Sequence, residues 1–243
     1  MDVKETVRKL VKEAVEAHMQ KQTSNKEIKP AITVLLTYSS SKKHEILKAI
    51  AEIEESFQVT VVASKEWASA LDNKEILLLK NATNEDLQQL WSNTDLLIFP
   101  VASFQLVTKL ALMIDDDKEL TTAIQFQLLG KPIIIANDEV ELGVYQQVLA
   151  PYSLQEKLQR NIRTIQSEKV KWVSLEQVAK VAKEEHEQFQ ERQPLILAKH
   201  IEKASRERRN EIIVPENSKI TPVAKDMARA LQVHIKKNSK HTP

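Results

Sequence analysis

Short runs of mostly apolar residues recur between Ile32 and Val173: Ile32–Leu36, Val59–Ala63, Ile76–Leu79, Leu96–Phe99, Ile133–Ala136 and Val170–Val173. Each is short and apolar at successive positions, so the strand it predicts must be covered on both faces. Between these runs, the stretches near 43–56, 85–92, 103–114 and 120–129 return an apolar residue every third or fourth position, the spacing of one helix face. Doubly covered strands separated by helices predict a parallel sheet, because crossover helices bury its two sides. The expected fold is α/β, a doubly wound, Rossmann-like parallel sheet with helices on both faces.

The two flanks differ from this core. Residues 2–19 set Val3, Val7, Leu10, Val11 and Ala14 at helical spacing among charged neighbours, which predicts an N-terminal amphipathic helix. A polar stretch then runs to Pro30 and reads as a tether. At the other end, 153–166, 174–190, 195–209 and 222–236 read as helices dense in charge, broken by an extended Ile212–Pro215. Thr221 and Pro222 supply an N-cap and a first helical residue for the last of them. The expected division is an amphipathic helix over 1–20, a linker over 21–30, an α/β domain over 31–175 and a helical C-terminal extension over 176–243, with no internal repeat of 20–50 residues.

Composition narrows the chemistry. Lys and Arg number 35 against 34 Asp and Glu, a net charge of +1, so no whole-chain field draws the protein to nucleic acid or a membrane surface, and neither partner is expected. Without cysteine there is no disulfide, thiolate nucleophile or Cys-ligated metal. Asp115, Asp116 and Asp117 could hold a divalent cation or flank a helix end, and with no matched ligand set no metal is expected. Met1–Glu5 lacks the hydrophobic run of a secretory signal, which predicts a cytoplasmic protein. Only two glycines are present, and neither G-x-G-x-x-G, a P-loop nor G-x-S-x-G occurs, which excludes the usual dinucleotide, nucleotide and serine-hydrolase motifs.

In a doubly wound sheet, ligands sit outside the carboxyl ends of the strands where strand order reverses. The first such end carries Thr37, Ser39, Ser40 and Ser41, with Lys42 and Lys43 at the start of a helix. Hydroxyls, helix-start amides and two cations make a phosphate cradle, although a polar loop with a serine cap gives the same pattern. The second strand ends at Ser64, with Trp67 placed either to cover a planar ligand or to pack a helix. The fourth leads through Pro100 to Ser103, Phe104, Gln105 and Lys109.

The stretch from Asp95 to Asp117, followed by Gly130-Lys131-Pro132 before an apolar strand, resembles the homo-oligomeric flavin-containing Cys-decarboxylase superfamily over about residues 31–140. Its members carry a turn of the type P-A-[ST]-x-N-T-x-A-K in which Ser103, Gln105 and Lys109 match the Ser/Thr, Asn and Lys, while Asp116 or Asp117 matches an aspartate after the helix. Thr37 and Ser39 match the first-loop hydroxyls, and Ser64 matches a serine that faces the flavin. The resemblance implies a flavin, FMN with FAD or no flavin left open, held by Thr37, Ser39, Ser40, Ser64, Ser103, Phe104, Gln105 and Lys109. It also implies a homo-oligomer, trimeric or higher. The departures are specific: Leu87 stands about where the decarboxylases have histidine, Leu106 replaces the motif Thr, and Tyr38 and Met113 stand where glycines are common. No catalytic residue is assigned, and whether the chain is an enzyme stays open.

Two flanking segments carry a second resemblance. The helix over 1–20 with its tether is similar to encapsulation peptides of enzymes packed inside bacterial microcompartments, and Lys219–Ala230 is similar to an I-T-P-x-A-[RK]-D-x-A-[RK] segment of microcompartment-associated proteins. They imply shell or cargo partners bound through residues 1–20, a location inside a microcompartment, and redox or cofactor-maintenance support for ethanolamine- or propanediol-type catabolism. The alternatives kept beside this are a decarboxylase or flavin prenyltransferase-like enzyme, and a non-catalytic scaffold that has lost flavin binding.

Overall fold

The computed structural model describes residues 29–71 and 76–238. The expected helix over 2–19, the encapsulation segment over 1–20 and most of the tether lie outside the described residues. Six strands form one parallel sheet: β1 (Ala31–Leu36), β2 (Gln58–Ala63), β3 (Ile76–Leu78), β4 (Leu97–Phe99), β5 (Ile133–Ala136) and β6 (Val170–Val173). Each coincides to within a residue or so with an apolar run of the sequence. The helices are α1 (Lys43–Glu54), α2 (Lys65–Ala68), α3 (Asn84–Asn93), α4 (Phe104–Ala111), α5 (Lys118–Leu128), α6 (Val144–Leu149), α7 (Tyr152–Ser167) and α8 (Val178–Glu191).

The strand order is β3-β2-β1-β4-β5-β6, with every neighbouring pair parallel. Alternation along the strands explains why these runs are apolar throughout. Ile32, Val34 and Leu36 of β1 face a layer containing Ile46, Ile50 and Ile53 of α1 and Val178 and Ala182 of α8. Leu35 of β1 and Leu97 and Phe99 of β4 face the opposite layer, with Leu106 and Leu110 of α4, Phe126 of α5 and Ile162 of α7. Helix α8 therefore covers the sheet although the expected domain boundary lies at 175/176. No helix among the described residues is long and apolar enough to cross a membrane.

Gly130-Lys131-Pro132 joins α5 to β5, and each of the three residues has a structural part. Gly130 takes φ +68° after α5, where its amide bonds the Gln127 carbonyl and that of Lys131 the Phe126 carbonyl. The buried Lys131 ammonium donates to the Trp91 carbonyl at 2.5 Å and the Thr94 carbonyl at 2.6 Å, closing the C-terminal end of α3. Burial holds its pKa below the ordinary lysine value. Pro132 then leads into β5.

Beyond α8 the chain forms β7 (Leu195–Ile196), α9 (Ala198–Arg206), β8 (Glu211–Pro215), β9 (Lys219–Ile220), α10 (Pro222–Ala230) and β10 (His234–Asn238). Residues 231–236, expected to prolong the last helix, instead turn at Gln232 (φ 53°) and enter β10. The expectation of no repeat also fails. β7-α9-β8 and β9-α10-β10 repeat one strand–helix–strand order, with β7 parallel to β9 and β8 parallel to β10. Ala204 and Ala228 are buried at equivalent helix positions, and Arg208 (φ 56°) and Gln232 make equivalent left-handed turns. The pair has its own core, including Ile196, Ile201, Val214 and Val233.

Candidate functional site

Strand order reverses between β1 and β4, so the segments leaving their carboxyl ends, 37–42 and 100–103, mark the topological switch point, where doubly wound sheets form their ligand crevice. Ser64 joins them, because its amide donates to the Leu36 carbonyl at 2.9 Å and seats the end of β2 beside the end of β1. Ser103 is the N-cap of α4, its hydroxyl accepting from the Leu106 amide at 3.1 Å. Asp117 caps α5 in the same way, accepting from the Leu120 amide at 2.9 Å. These caps fix the two helix starts at the crevice.

At its centre is Glu119, 6% exposed in the first turn of α5. The Thr37 hydroxyl donates to its carboxylate, and Glu119 is also hydrogen-bonded to the Tyr38 phenol, which in turn bonds Ser103. Burial is the main cause that raises Glu119 to about 7, working against the Thr37 and Tyr38 hydrogen bonds. Burial, then the Glu119 charge, pushes the Tyr38 phenol above the usual tyrosine range. Lys109 closes the cluster, with its ammonium 2.6 Å from Asp116 and 3.1 Å from Asp117. The Asp116 bond leads the causes that hold the lysine above its ordinary value.

The sequence-derived residues are thus gathered at one edge but in unequal roles. Thr37, Ser103 and Lys109 belong to the network. Ser39 donates to Glu66 at 3.0 Å and Ser40 to Glu139 at 2.7 Å, so the first-loop hydroxyls already serve carboxylates. Phe104 is 46% exposed at the start of α4, and Gln105 beside it is exposed. Trp67 is fully buried and donates from Nε1 to the Tyr38 carbonyl at 2.7 Å, which makes it a brace for the loop and not a ligand cover. Asp115 accepts from Thr121, so all three aspartates are engaged at the α5 start, and no metal-ligating group of three occurs among the described residues.

Sequence reasoning missed Glu119. Its signal was available: with Ala123 and Phe126 it falls at i, i+4, i+7 on the buried stripe of α5, a carboxylate where an apolar residue is expected.

Two features fit the flavin that the sequence resemblance implies. The Ser64 hydroxyl is buried with no hydrogen-bond partner, a polar atom aimed at nothing in the chain. Helix α1 has no side-chain cap at Lys42, which leaves its N-terminal amides and dipole unclaimed by side chains.

No protein family model and no curated protein matches this sequence. Among solved structures, the chain is similar to the FMN-dependent cysteine decarboxylase TvaF from thioviridamide biosynthesis, at 15% identity over 65% of this chain and 98% of that one, with a TM-score of 0.51. It is also similar to apo DmrB from Burkholderia xenovorans, described as a cubic protein cage for redox transfer (18% identity, 64% and 94% covered, TM-score 0.49). A third is the peptidyl-cysteine decarboxylase EpiD (18% identity, 60% and 86% covered, TM-score 0.43). At 15% identity the likeness to TvaF establishes the fold alone. It covers 65% of this chain.

Proposed function

We propose that the crevice at the β1/β4 reversal binds a flavin, FMN before FAD. The observation that carries this reading is the buried, unpartnered Ser64 hydroxyl, together with the uncapped start of α1. The likeness to the FMN-dependent TvaF supports it at the level of the fold. Lys42 and the first amides of α1 would hold the phosphate, Ser64 and Ser103 would meet polar atoms of the ring, and Phe104 would offer it an apolar face. A bound flavin supplies hydride and single-electron transfer. The chain's own part is to orient it and to hold a proton on the Glu119 carboxyl below about pH 7, the Tyr38 phenol keeping its proton throughout. Redox or cofactor-maintenance support is the activity we assign to it.

The partners follow the same reading. Further copies of the chain are proposed to cover Val144, Tyr145, Val148, Leu149 and Tyr152, which are 75–85% exposed. Microcompartment shell or cargo proteins are proposed to bind through residues 1–20, on the resemblances of that segment and of Lys219–Ala230. Removal of residues 1–20 is expected to abolish co-purification with shell proteins, and unchanged co-purification would contradict that assignment.

One observation favours a second reading, a scaffold that keeps the fold without flavin: Thr37, Ser39 and Ser40 all donate to carboxylates, which repel a phosphate. The visible spectrum of the full-length protein, before and after incubation with FMN and desalting, separates the two. A retained yellow chromophore supports the flavin site, and a colourless product after reconstitution selects the scaffold.

A further inference from the structure

Residues 195–238 hold ten Lys and Arg against five Asp and Glu, in a chain whose total is +1. Here a cavity of about 820 Å³ opens between Lys225, Ala228 and Arg229 of α10 on one side and the consecutive residues 231–235 on the other. Of β10 only His234 and Ile235 line it, together with Asn210 immediately before β8, whose carbonyl accepts from the His234 amide at 2.8 Å, so the cavity lies across the entry of the β8–β10 pair.

The repeat shows that this groove is not a generic feature of the unit. Aligning Ala204 with Ala228 sets Ile201 opposite Lys225 and Ser205 opposite Arg229. Ile201 is fully buried in the core of the first unit, while Lys225 is exposed at the cavity of the second. Lys225 has no ion-pair partner among the described residues, and Arg229 reaches only Asp226, at 3.8 Å on the surface. No carboxylate lines the cavity. The floor, with Ile220, Ala228, Leu231 and Val233, is apolar.

We propose that this groove binds an acidic peptide segment of a partner protein, laid across α10 and residues 231–235. Its apolar side chains rest on the floor and its carboxylates meet Lys225 and Arg229. Complementary charge steers and selects the partner. The proposal is independent of the flavin reading, since the groove lies wholly within the repeat.

The test is fluorescence anisotropy of a fluorescein-labelled heptapeptide of alternating glutamate and valine, titrated with the full-length protein. Saturable binding with Kd on the order of 10–100 μM is expected. It should weaken as salt rises and fall by about tenfold or more in Lys225→Glu/Arg229→Glu. Both positions are exposed, and circular dichroism checks that the variant is folded. Equal binding of the peptide with lysine in place of glutamate, unchanged binding by the folded double variant, or absence of saturation would each overturn the proposal. So would octanoate binding that depends on Lys225 and Arg229 while the peptide fails to bind, which would make the groove a small-anion site. The peptide comparison needs only the unaltered protein.

Discussion

The crevice of the sheet and the groove of the repeat differ in charge. Glu66, Glu119, Glu139, Asp116 and Asp117 gather at the first against Lys109, whereas Lys225 and Arg229 border the second with no acid among its lining residues. A net charge of +1 therefore conceals two local fields, and whole-chain balance says nothing about what either region attracts. They also differ in packing. The sheet is covered by two layers rich in Leu, Ile and Phe, while the repeat rests on a small core in which its two helices meet over alanines.

The packing contrast gives the largest expected effect. Phe99→Ala should destabilise the sheet-bearing body by about 3–5 kcal/mol, whereas Ile201→Ala should cost about 2–4 kcal/mol and act on the repeat alone. Hydrogen exchange resolved by segment checks this, and loss of protection across the body in Ile201→Ala would merge the two regions into one cooperative unit.

The charge contrast is sharpened by Glu119. Its folded pKa of about 7 lies above the unfolded value of 4.5, so the folded state binds more protons between them. Its contribution is fully present below the unfolded value and is lost as pH rises through about 7, a decline on the order of 3 kcal/mol. Glu119→Gln should remove that decline and raise Tm at alkaline pH, as thermal melts across the acid-to-alkaline range would report. A slope unchanged in the variant would show that another group sets it.

The smallest effect separates stability from binding at one atom. Ser64→Ala removes a buried hydroxyl that has no partner, so the ligand-free protein should gain about 0.5–1 kcal/mol while FMN affinity falls. Loss of both stability and affinity would instead mean that the hydroxyl is satisfied within the chain.

The strands were legible because a sheet covered on both faces needs apolar side chains at every position, and such runs stand out even with mixed helical spacing between them. The edge residues Thr37, Ser64 and Ser103 were legible for a related reason: polar residues directly after such a run mark a strand's end. Glu119 was not, because its role depends on tertiary burial of one stripe of α5. The repeat was hidden by divergence, its two units sharing buried small residues and turn geometry more than sequence. Left-handed turns at Arg208 and Gln232 end both helices without glycine, so Val233 and Ile235 read as a continuing helix face. Met113 (φ 52°) does the same after α4, where the resemblance has glycine.

The flavin site itself is tested most directly by equilibrium titration of FMN fluorescence with the full-length protein on either side of the Glu119 transition. Saturable quenching is predicted at both pH values, stronger on the acid side where Glu119 is neutral and the crevice carries less negative charge. Fluorescence that stays at its free value throughout, at either pH, would contradict the assignment.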